Sequence, residues 1–251
     1  MRFKLKLTNE KETRIKVDYW IELASSINML LDSEYLRSVE NGAYLLNRKI
    51  FKPWTFSRLF FEKYSFTNKE IRVLPGENYL IVSTIDDNFA YFFLKGILKE
   101  KCLKVGKAIF ELRSVSVLNQ PQRKQIVCKT LSPIIIKEIQ RIEDSCPEFA
   151  ASFVEGIKKN LVSKAKAFRN INILPEKIEI QIVNNEKIKR KTLHIKNELY
   201  IGYELLLKIK SLPEVIEIAY NCGLGVKNAL GFGCVEVIPP PSERVLISFE
   251  K

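Results

Sequence analysis

The sequence predicts an α+β fold made of two tandem ferredoxin-like (βαββαβ) domains. Two sets of strand-like and helix-like segments follow one another in the same order, and a short polar segment that contains a proline separates them. The chain has 251 residues and is 46% hydrophobic, which is enough to bury one large core or two small ones. We therefore expect an N-terminal domain at residues 1–120 and a C-terminal domain at residues 125–251.

The first domain is predicted from alternation and from helical periodicity. Residues 2–7 alternate like a strand, and a helix that opens at residues 18–20 carries apolar residues at helical spacing. Residues 32–50 are polar, and we expect them to be irregular. The remaining elements are strands at residues 54–64, 79–84 and 108–118, with a helix marked by Phe89, Phe92, Phe93 and Ile97.

The same pattern repeats after the polar segment at residues 119–125. A helical stripe is formed by Phe149, Phe153, Ile157, Leu161, Ala165 and Phe168. A helix at residues 212–220 with Pro213 in its first turn, and a last strand at residues 232–238, close the second unit. The strand-like segments before them cover residues 126–136, 178–183, 189–195 and 199–209.

A glycine-rich stretch joins this last helix to this last strand. Four of the ten glycines of the chain fall within eleven residues, at Gly223, Gly225, Gly231 and Gly233. Glycine accepts positive φ and allows close approach, so the spacing predicts a tightly folded loop. Its backbone N–H groups and Lys227 are suited to binding phosphates, whereas the simpler interpretation is a tight helix-to-strand turn without a ligand.

Two known phosphate loops are excluded by the order of the elements. A Walker A loop needs Gly-Lys-Ser/Thr at the start of a helix, and a dinucleotide-binding fingerprint needs a strand, then glycines, then a helix. In this chain a helix precedes the glycines and a strand follows them.

The charge of the chain favours a polyanionic partner. The formal net charge is +12 and the pI is about 9.4, and such a field attracts phosphates, while a membrane surface is the rival partner. No apolar run reaches the length needed to span a bilayer, and the N-terminus alternates instead of building a signal-peptide core. We therefore expect a cytoplasmic protein that does not bind a membrane.

Metal and cofactor chemistry is not expected from the cysteine and histidine content. The single histidine cannot complete a zinc site, and no Cys-x-x-Cys pair occurs, so we expect reduced thiols and no metal or other cofactor. The five cysteines are Cys102, Cys128, Cys146, Cys222 and Cys234.

Three segments resemble the CRISPR-associated RAMP superfamily, and within it the sixth Cas family of endoribonucleases that cut CRISPR repeat RNA. The loop sequence GLGVKNALGFG before an apolar strand is similar to the C-terminal signature of that superfamily. The sequence MRFKL at residues 1–5 resembles the first strand of the family, and FKPWTFSRL at residues 51–59 resembles its Lys-x-aromatic-Thr-aromatic-Ser segment. The resemblance implies repeat RNA as the partner. It leaves open whether other Cas proteins or a second copy in a homodimer take part.

The resemblance also implies a metal-independent reaction. The 2′-OH of the RNA attacks the neighbouring phosphate and leaves a 2′,3′-cyclic phosphate and a 5′-OH, which requires a base, an acid and cations. The family usually places a histidine between the first helix and the Lys-x-aromatic segment, but residues 32–51 contain none. The His-x-x-Gly pattern of the family would overlay residues 39–42 and put the vacant histidine at Val39, whereas a closer spacing to Lys52 would put it near Ala43 or Leu46.

Three explanations of the missing histidine stay open. The protein binds RNA without cutting it as a silent paralogue, an engineered substitution removed the histidine, or other side chains replace it. For the last, Lys52 matches the lysine position of the family, and Tyr44, Arg48 and Lys49 are close in sequence. Unshifted lysine and tyrosine titrate near ~10, so they suit electrostatic stabilisation better than proton abstraction.

His194 lies in a strand-like segment of the second domain, where it alternates with apolar residues. A histidine in that pattern is usually structural or at the surface, and we do not assign it to catalysis.

Two basic clusters are candidate RNA contacts. The first is a predicted hairpin with Lys187, Lys189, Arg190 and Lys191, which suits the minor groove or base of an RNA stem. Loop residue Asn228 and strand residue Arg58 are further candidates. The second cluster lies on the helix of the second domain, opposite its apolar stripe, and consists of Lys158, Lys159, Lys164, Lys166 and Arg169.

Overall fold

The computed structural model describes residues 1–67, 69–139, 148–183, 188–195 and 197–239. The first domain contains the helices Trp20–Met29 (α1), Ser33–Ser38 (α2) and Asp87–Glu100 (α3). Its strands are Arg2–Asn9 (β1), Thr13–Lys16 (β2), Leu45–Leu46 (β3), Lys49–Ile50 (β4), Trp54–Phe56 (β5), Phe60–Phe61 (β6), Tyr64–Phe66 (β7), Glu70–Val73 (β8), Gly76–Thr84 (β9), Cys102–Val105 (β10) and Ala108–Val117 (β11).

The main sheet of this domain has the order β10-β11-β1-β9-β5, with β6 also paired to β9. Strands β11, β1, β9 and β5 are the fourth, first, third and second strands of a βαββαβ unit, and every pairing is antiparallel. Strand β10 extends one edge, and a separate sheet with the order β2-β8-β7 was not predicted.

The first core lies between this sheet and helices α1 and α3. The alternation of β1 sends Phe3, Leu5 and Leu7 to one face, where each is fully buried. Phe89 and Phe93 of α3 are stacked with ring centroids 5.8 Å apart and cover the same face. Apolar periodicity in the sequence therefore translates directly into this core.

The second domain has two helices, Glu148–Arg169 (α4) and Pro213–Cys222 (α5). Its strands are Gln125–Thr130 (β12), Ile134–Ile135 (β13), Glu179–Ile182 (β14), Lys189–Ile195 (β15), Glu198–Glu204 (β16), Leu206–Lys210 (β17) and Val235–Val237 (β18).

The second main sheet has the order β14-β17-β12-β18, again with antiparallel pairs only. This is the ferredoxin-like order of second, third, first and fourth strands, so the predicted fold class is confirmed for both domains. The hairpin of β15 and β16 is inserted between the second and third strands and pairs with β13 in a sheet of its own.

Residues 32–50 were wrongly predicted to be irregular. Asp32 caps α2 by accepting hydrogen bonds from the backbone N–H groups of Glu34 and Tyr35, and one π-helical turn at Val39–Ala43 follows. Gly42, with φ +103°, ends that turn, and the hairpin of β3 and β4 comes next. Polar side chains on an exposed two-turn helix hide the periodicity on which the prediction depended.

Three predicted strands are interrupted. Residues 54–64 break at Ser57, whose N–H and Oγ both bond to the backbone of Ile81, and residues 126–136 break between β12 and β13. Residues 199–209 divide at Leu205 into β16 and β17, which belong to different sheets. Each break is set by tertiary pairing, which local alternation does not encode.

The two domains meet along a buried interface. Arg2 of β1 is 1% exposed and donates hydrogen bonds to the carbonyl oxygens of Tyr220 and Val235, and its guanidinium lies 4.0 Å from the centre of the Tyr220 ring. Trp20 of α1 packs on Phe232 with ring centroids 4.8 Å apart. Both contacts place the glycine-rich loop and its strand against the first domain.

Candidate functional site

The glycine-rich loop is folded around the ammonium group of Lys164. This side chain comes from α4, is 2% exposed, and donates hydrogen bonds to four oxygen atoms. Burial lowers the pKa of Lys164 to about 7, whereas the four acceptors favour its charged form. The acceptors are the backbone oxygens of Cys222 (3.4 Å), Gly223 (2.6 Å) and Gly225 (3.2 Å) and Oδ1 of Asn228 (2.7 Å).

Asn228 closes the loop from the inside. Its Nδ2 donates to the backbone oxygens of Leu224 at 3.1 Å and Phe232 at 2.9 Å, while its Oδ1 accepts from Lys164. Both the nitrogen and the oxygen of the amide are therefore hydrogen-bonded within the protein. The side chain of Asn228, which was expected to contact RNA, makes three hydrogen bonds inside the loop.

The glycines are required by backbone that approaches closely within the protein. A Cβ on Gly233 would lie 1.9 Å from the oxygen of Leu224, and a Cβ on Gly231 would lie 2.3 Å from the ring of Phe56. Both residues also have φ between +70° and +90°. No other residue type fits there without moving its neighbours.

Two of the loop amides that were expected to contact a phosphate are bonded within the protein. The N–H groups of Gly231 and Gly233 donate to the backbone oxygens of Asn228 and Pro133, so they are not available to a ligand. The tight-turn interpretation describes them better. The buried glycines of the loop are Gly223, Gly225, Gly231 and Gly233.

Lys227 is the exposed residue of the loop between residues 223 and 233. It adopts a left-handed conformation with φ +62°, and its Nζ lies 5.1 Å from the centre of the Tyr200 ring. The internal hydrogen bonds on both sides of it fix the backbone from which this cation projects. Of the loop groups that were predicted to bind a phosphate, the side chain of Lys227 is the exposed one.

This cation faces a cleft of about 600 Å³ between the two domains. Five lysines line the cleft, and the described residues around it include no aspartate or glutamate. Concentrated positive charge in a concave site attracts an anionic ligand strongly. The lining lysines are Lys49, Lys52, Lys137, Lys164 and Lys227, and the polar residues between them include Asn28, Asn160 and Tyr200.

Lys52 has the environment expected of a functional cation. Its side chain is 30% exposed, and its Nζ lies 5.6 Å from the centre of the Trp54 ring. The ion pair with Glu40 is 3.5 Å long, but Glu40 is 63% exposed, so water screens this attraction and the pair contributes little. Lys52 can therefore turn toward an anion in the cleft.

Two of the expected catalytic residues do not line the cleft. Tyr44 donates a hydrogen bond to Oδ2 of Asp86 at 2.7 Å, and burial together with that carboxylate raises its pKa, so it cannot act as a base near neutral pH. Its ring packs edge-on against Phe168 of α4 at 5.3 Å. Arg48 is exposed in the turn of the β3–β4 hairpin and has φ +62°. Lys49, the other candidate in this hairpin, does line the cleft.

The structure separates the three candidate positions for the missing histidine. Val39 is 1% exposed and belongs to the first core, so a histidine there would be buried among apolar side chains. Ala43 is exposed and Leu46 is half-buried. The latter two are compatible with a histidine that meets a ligand.

Other candidate RNA contacts lie in a second groove, of about 830 Å³, which shares no lining residue with the cleft. Arg58, Lys191 and His194 line it. Arg58 is paired with Glu204 at 3.3 Å, and His194 is exposed on β15. The single histidine is thus in a different groove from Lys52.

The remaining basic residues are distributed over the surface of the second domain. Lys158 is half-buried and Lys159, paired with Glu155 at 3.7 Å, is exposed on α4. Lys189 and Arg190 are exposed on β15. Lys187 lies outside the described residues.

Sequence reasoning missed several residues of the cleft. Lys164 was assigned to the solvated side of its helix, although it falls three residues after Leu161 and four before Phe168, which is the spacing of the apolar stripe. That spacing could have identified it as buried. Lys137, Tyr200, Asn28 and Asn160 carry no comparable signal, because they meet only in the folded chain.

No cluster of three or more His, Cys, Asp or Glu side chains able to hold a metal ion occurs in the part of the chain that the structure describes. None of the helices in the same ranges is both long and apolar enough to cross a membrane.

Two ferredoxin-like domains with a basic cleft and a buried glycine-rich loop between them define a tandem ferredoxin-like protein of the RAMP type. Two family models match the chain: the N-terminal model of the CRISPR-associated protein Cas6 covers residues 19–116, and its C-terminal model covers residues 118–237. The chain therefore belongs to the Cas6 family.

Curated relatives support the same assignment over the full length. The CRISPR-associated endoribonuclease Cas6 1 of Methanocaldococcus jannaschii is 32% identical over 97% of this chain and 95% of its own length. The CRISPR-associated endoribonuclease Cas6 of Pyrococcus furiosus is 25% identical over 94% of this chain and 90% of its own length.

Solved structures share the architecture. A CRISPR-associated protein Cas6 is similar with a TM-score of 0.73 and 28% identity, covering 95% of this chain and 99% of the other. A protein described as a RAMP protein binding different RNA substrates has a TM-score of 0.75 and 19% identity, covering 95% of this chain and 100% of the other, and shows the likeness of fold alone.

We expect Gly233→Val and Gly231→Val to lower the melting temperature far more than Ala229→Val in the same loop. Each new side chain would clash with Leu224 or Phe56 and would hold φ in the left-handed region, at a cost of roughly 2–5 kcal/mol. Thermal denaturation followed by circular dichroism measures the effect. Equal melting temperatures for the three variants would show that the loop is an ordinary connector.

We also expect Lys164→Met to destabilise the protein by about 1–3 kcal/mol. Methionine relieves the desolvation of a buried cation but leaves four oxygen acceptors without a donor, and the second effect is larger when all four are buried. Lys166→Met, two residues along the same helix, is the control. A more stable Lys164→Met protein in urea denaturation would mean that desolvation dominates.

Proposed function

We propose that this protein cuts CRISPR repeat RNA at the cleft between its two domains by attack of a 2′-OH on the neighbouring phosphate. The products would be a 2′,3′-cyclic phosphate and a 5′-OH, without a metal ion. One observation carries the proposal: among the residues that the structure describes, five lysines and no acidic residue line a cleft between two ferredoxin-like domains. The relatives named Cas6 endoribonucleases support RNA cleavage as the activity.

The lysines supply what this reaction needs most. The phosphate gains negative charge as the 2′-OH attacks, and cations held in place stabilise that charge more than they stabilise bound RNA. Lys52 and Lys227 approach the cleft from different domains, so a phosphate between them would be held from two sides. We assign Lys52 to the transition state because of its family position and its limited exposure.

The described lining of the cleft offers no side chain that is well suited to proton transfer. The described lining has no histidine, and the hydroxyl of Tyr200 donates to Glu198. Lys164, whose pKa is lowered to about 7 by burial, has acceptors for all its protons inside the loop. The attacking 2′-OH would therefore lose its proton to water, and water or a protonated lysine would supply the proton that the leaving 5′-oxygen takes up, so we expect slow cleavage.

RNA longer than the cleft would continue over the basic surface. We propose that the exposed cations of β15 and α4 bind further phosphates, which fits the net charge of +12. The second groove with Arg58 and Lys191 would extend this track. Binding of repeat RNA without cleavage, the alternative function, is one outcome of the experiments below.

We expect Lys52→Ala to reduce the single-turnover cleavage rate by about 10²–10³-fold while RNA affinity changes by less than about tenfold, because the lost interaction is stronger in the transition state. The substrate is a 5′-labelled copy of the repeat from the CRISPR array of the source genome. EDTA should leave the rate unchanged, and a single 2′-deoxy ribose at the cut should abolish cleavage.

Two results would contradict this assignment. Cleavage that survives the 2′-deoxy substitution would exclude attack by the 2′-OH, and wild-type protein that binds the repeat tightly without cutting it would leave the RNA-holding function. Lys99→Ala, at an exposed position on α3, is the matched control for loss of one positive charge.

We expect a histidine at position 46 or 43 to raise the cleavage rate by at least about tenfold, because a base with a pKa near neutrality supplies what lysine does not. The variants are Leu46→His and Ala43→His, and the same single-turnover assay measures them. Val39→His should instead destabilise the protein, since position 39 is in the core. Failure of both Leu46→His and Ala43→His to increase the rate would show that the proton-transfer position lies elsewhere.

A further inference from the structure

Glu40 is an exposed carboxylate in contact with the lysine that we assign to the transition state. Its Oε1 accepts a hydrogen bond from Nζ of Lys52 at 3.5 Å. Lys52 belongs to the lining of the cleft, whereas Glu40 lies just outside that lining. A carboxylate is therefore located at the edge of the cleft, beside the place where Lys52 would bind a phosphate.

The π-helical turn at Val39–Ala43 determines which side chain it presents to solvent. Val39 is 1% exposed and belongs to the first core, while the side chain of the next residue, Glu40, is 63% exposed. Position 39 is where the His-x-x-Gly pattern of the family would place its histidine, yet the fold buries that position. Glu40 is the titratable side chain that this turn offers to a ligand.

The elements around this turn carry more cations than acids. The turn follows α2, which carries Glu34 and Arg37, and it packs against β4, which carries Lys49. Lys52 comes shortly after β4 and makes the direct contact. Nearby cations favour the charged form of a carboxylate, which is the form that accepts a proton.

The proposed reaction needs such an acceptor. With the lining residues alone, the proton of the attacking 2′-OH goes to water, whereas a positioned carboxylate can take up a proton of this kind. A phosphate oxygen bound to Nζ of Lys52 would lie within about 6 Å of Oε1 of Glu40, because each of the two contacts spans about 3 Å. The 2′-OH next to that phosphate is then within reach of the carboxylate, directly or through one water molecule.

We infer that Glu40 is the general base that takes the proton of the attacking 2′-OH. The inference rests on the proposed function, because RNA must be cut at this cleft. The 2′-oxygen forms its bond to phosphorus while its proton passes to the carboxylate. The bond from phosphorus to the 5′-oxygen breaks, and water or a protonated lysine gives that oxygen a proton. Glu40 then releases its proton to solvent and the donor regains one, so the protein ends the cycle unchanged.

Glu40→Gln distinguishes a base from a carboxylate that only competes for Lys52. Glutamine keeps the shape and removes the charge, so Lys52 is released and the RNA is no longer repelled. A mere competitor, once removed, should leave a protein that cuts faster. If Glu40 is the base, the single-turnover rate at neutral pH should fall by at least about tenfold. An unchanged or higher rate would overturn the inference.

RNA binding is measured in parallel by fluorescence anisotropy, with a repeat RNA that carries one 2′-deoxy ribose at the cut and stays intact. The Kd of Glu40→Gln should equal that of the wild type or be lower. Its melting temperature should be unchanged, because an exposed ion pair contributes little to stability. A slower rate that is explained entirely by weaker binding or by unfolding would overturn the inference.

The pH dependence of the wild-type rate is a second test that needs no variant. A carboxylate base already carries its charge between pH ~6 and ~8, so the rate should be nearly constant over that range. In Glu40→Gln hydroxide must replace the base, and the rate should rise about tenfold per pH unit. A wild-type rate that itself rises tenfold per pH unit would show that hydroxide is the base and would overturn the inference.

The control for loss of one negative charge is Glu100→Gln, at an exposed position at the end of α3, which should cut like the wild type. Failure of this inference is distinguishable from failure of the proposed function. If the wild type cuts the repeat and Glu40→Gln cuts it as fast, the assignment of Glu40 alone is wrong. If the wild type binds the repeat without cutting it, the proposed function fails and the inference fails with it.

Discussion

A buried ammonium group whose acceptors are backbone and amide oxygens determines the arrangement of this site. Lys164 is surrounded by oxygens of the glycine-rich loop, and a cation removed from water is tolerated only when its protons are fully accepted. The loop must therefore curl around it, which requires glycine backbone and places Lys227 at the rim of the cleft. The same loop carries Phe232, whose ring packs on the first domain and whose backbone oxygen accepts from Thr55 at 3.1 Å. The shape of the loop, its contact with the first domain and the position of Lys227 at the cleft therefore all depend on how the loop surrounds Lys164.

The carboxylate of Asp86 helps to fix the segment that carries Lys49 and Lys52, the cleft lysines of the first domain. Asp86 caps α3 through Oδ1 and accepts the hydroxyl groups of Tyr35 and Tyr44 through Oδ2, at 2.8 and 2.7 Å. Because the ring of Tyr44 also contacts Phe168, one carboxylate anchors this segment beside α4 of the second domain. Tyr44 consequently helps to position this segment, and its hydroxyl is bonded to Asp86.

The two sheets and their cores follow from local sequence, because strands such as β1 and helices such as α3 alternate or repeat with the period of their structure. The cleft could be predicted from the sequence only in part. Glycine spacing predicts a tight loop, but whether a phosphate or the oxygen of Leu224 approaches Gly233 depends on the folded chain. Residues such as Asn160 and Lys137 line the cleft beside residues from distant segments, and no pattern in one sequence places them together.

The position of Arg2 gives the molecule an order of assembly during synthesis. Arg2 is synthesised well before its partners, because the backbone oxygens that accept from its guanidinium belong to Tyr220 and Val235, more than two hundred residues later. A nascent chain can fold its first domain while this arginine is still solvated, but it cannot complete the contacts between the domains until Val235 has left the ribosome. The cleft, whose lining includes Lys227 and Leu230, is therefore completed only after both domains have been synthesised.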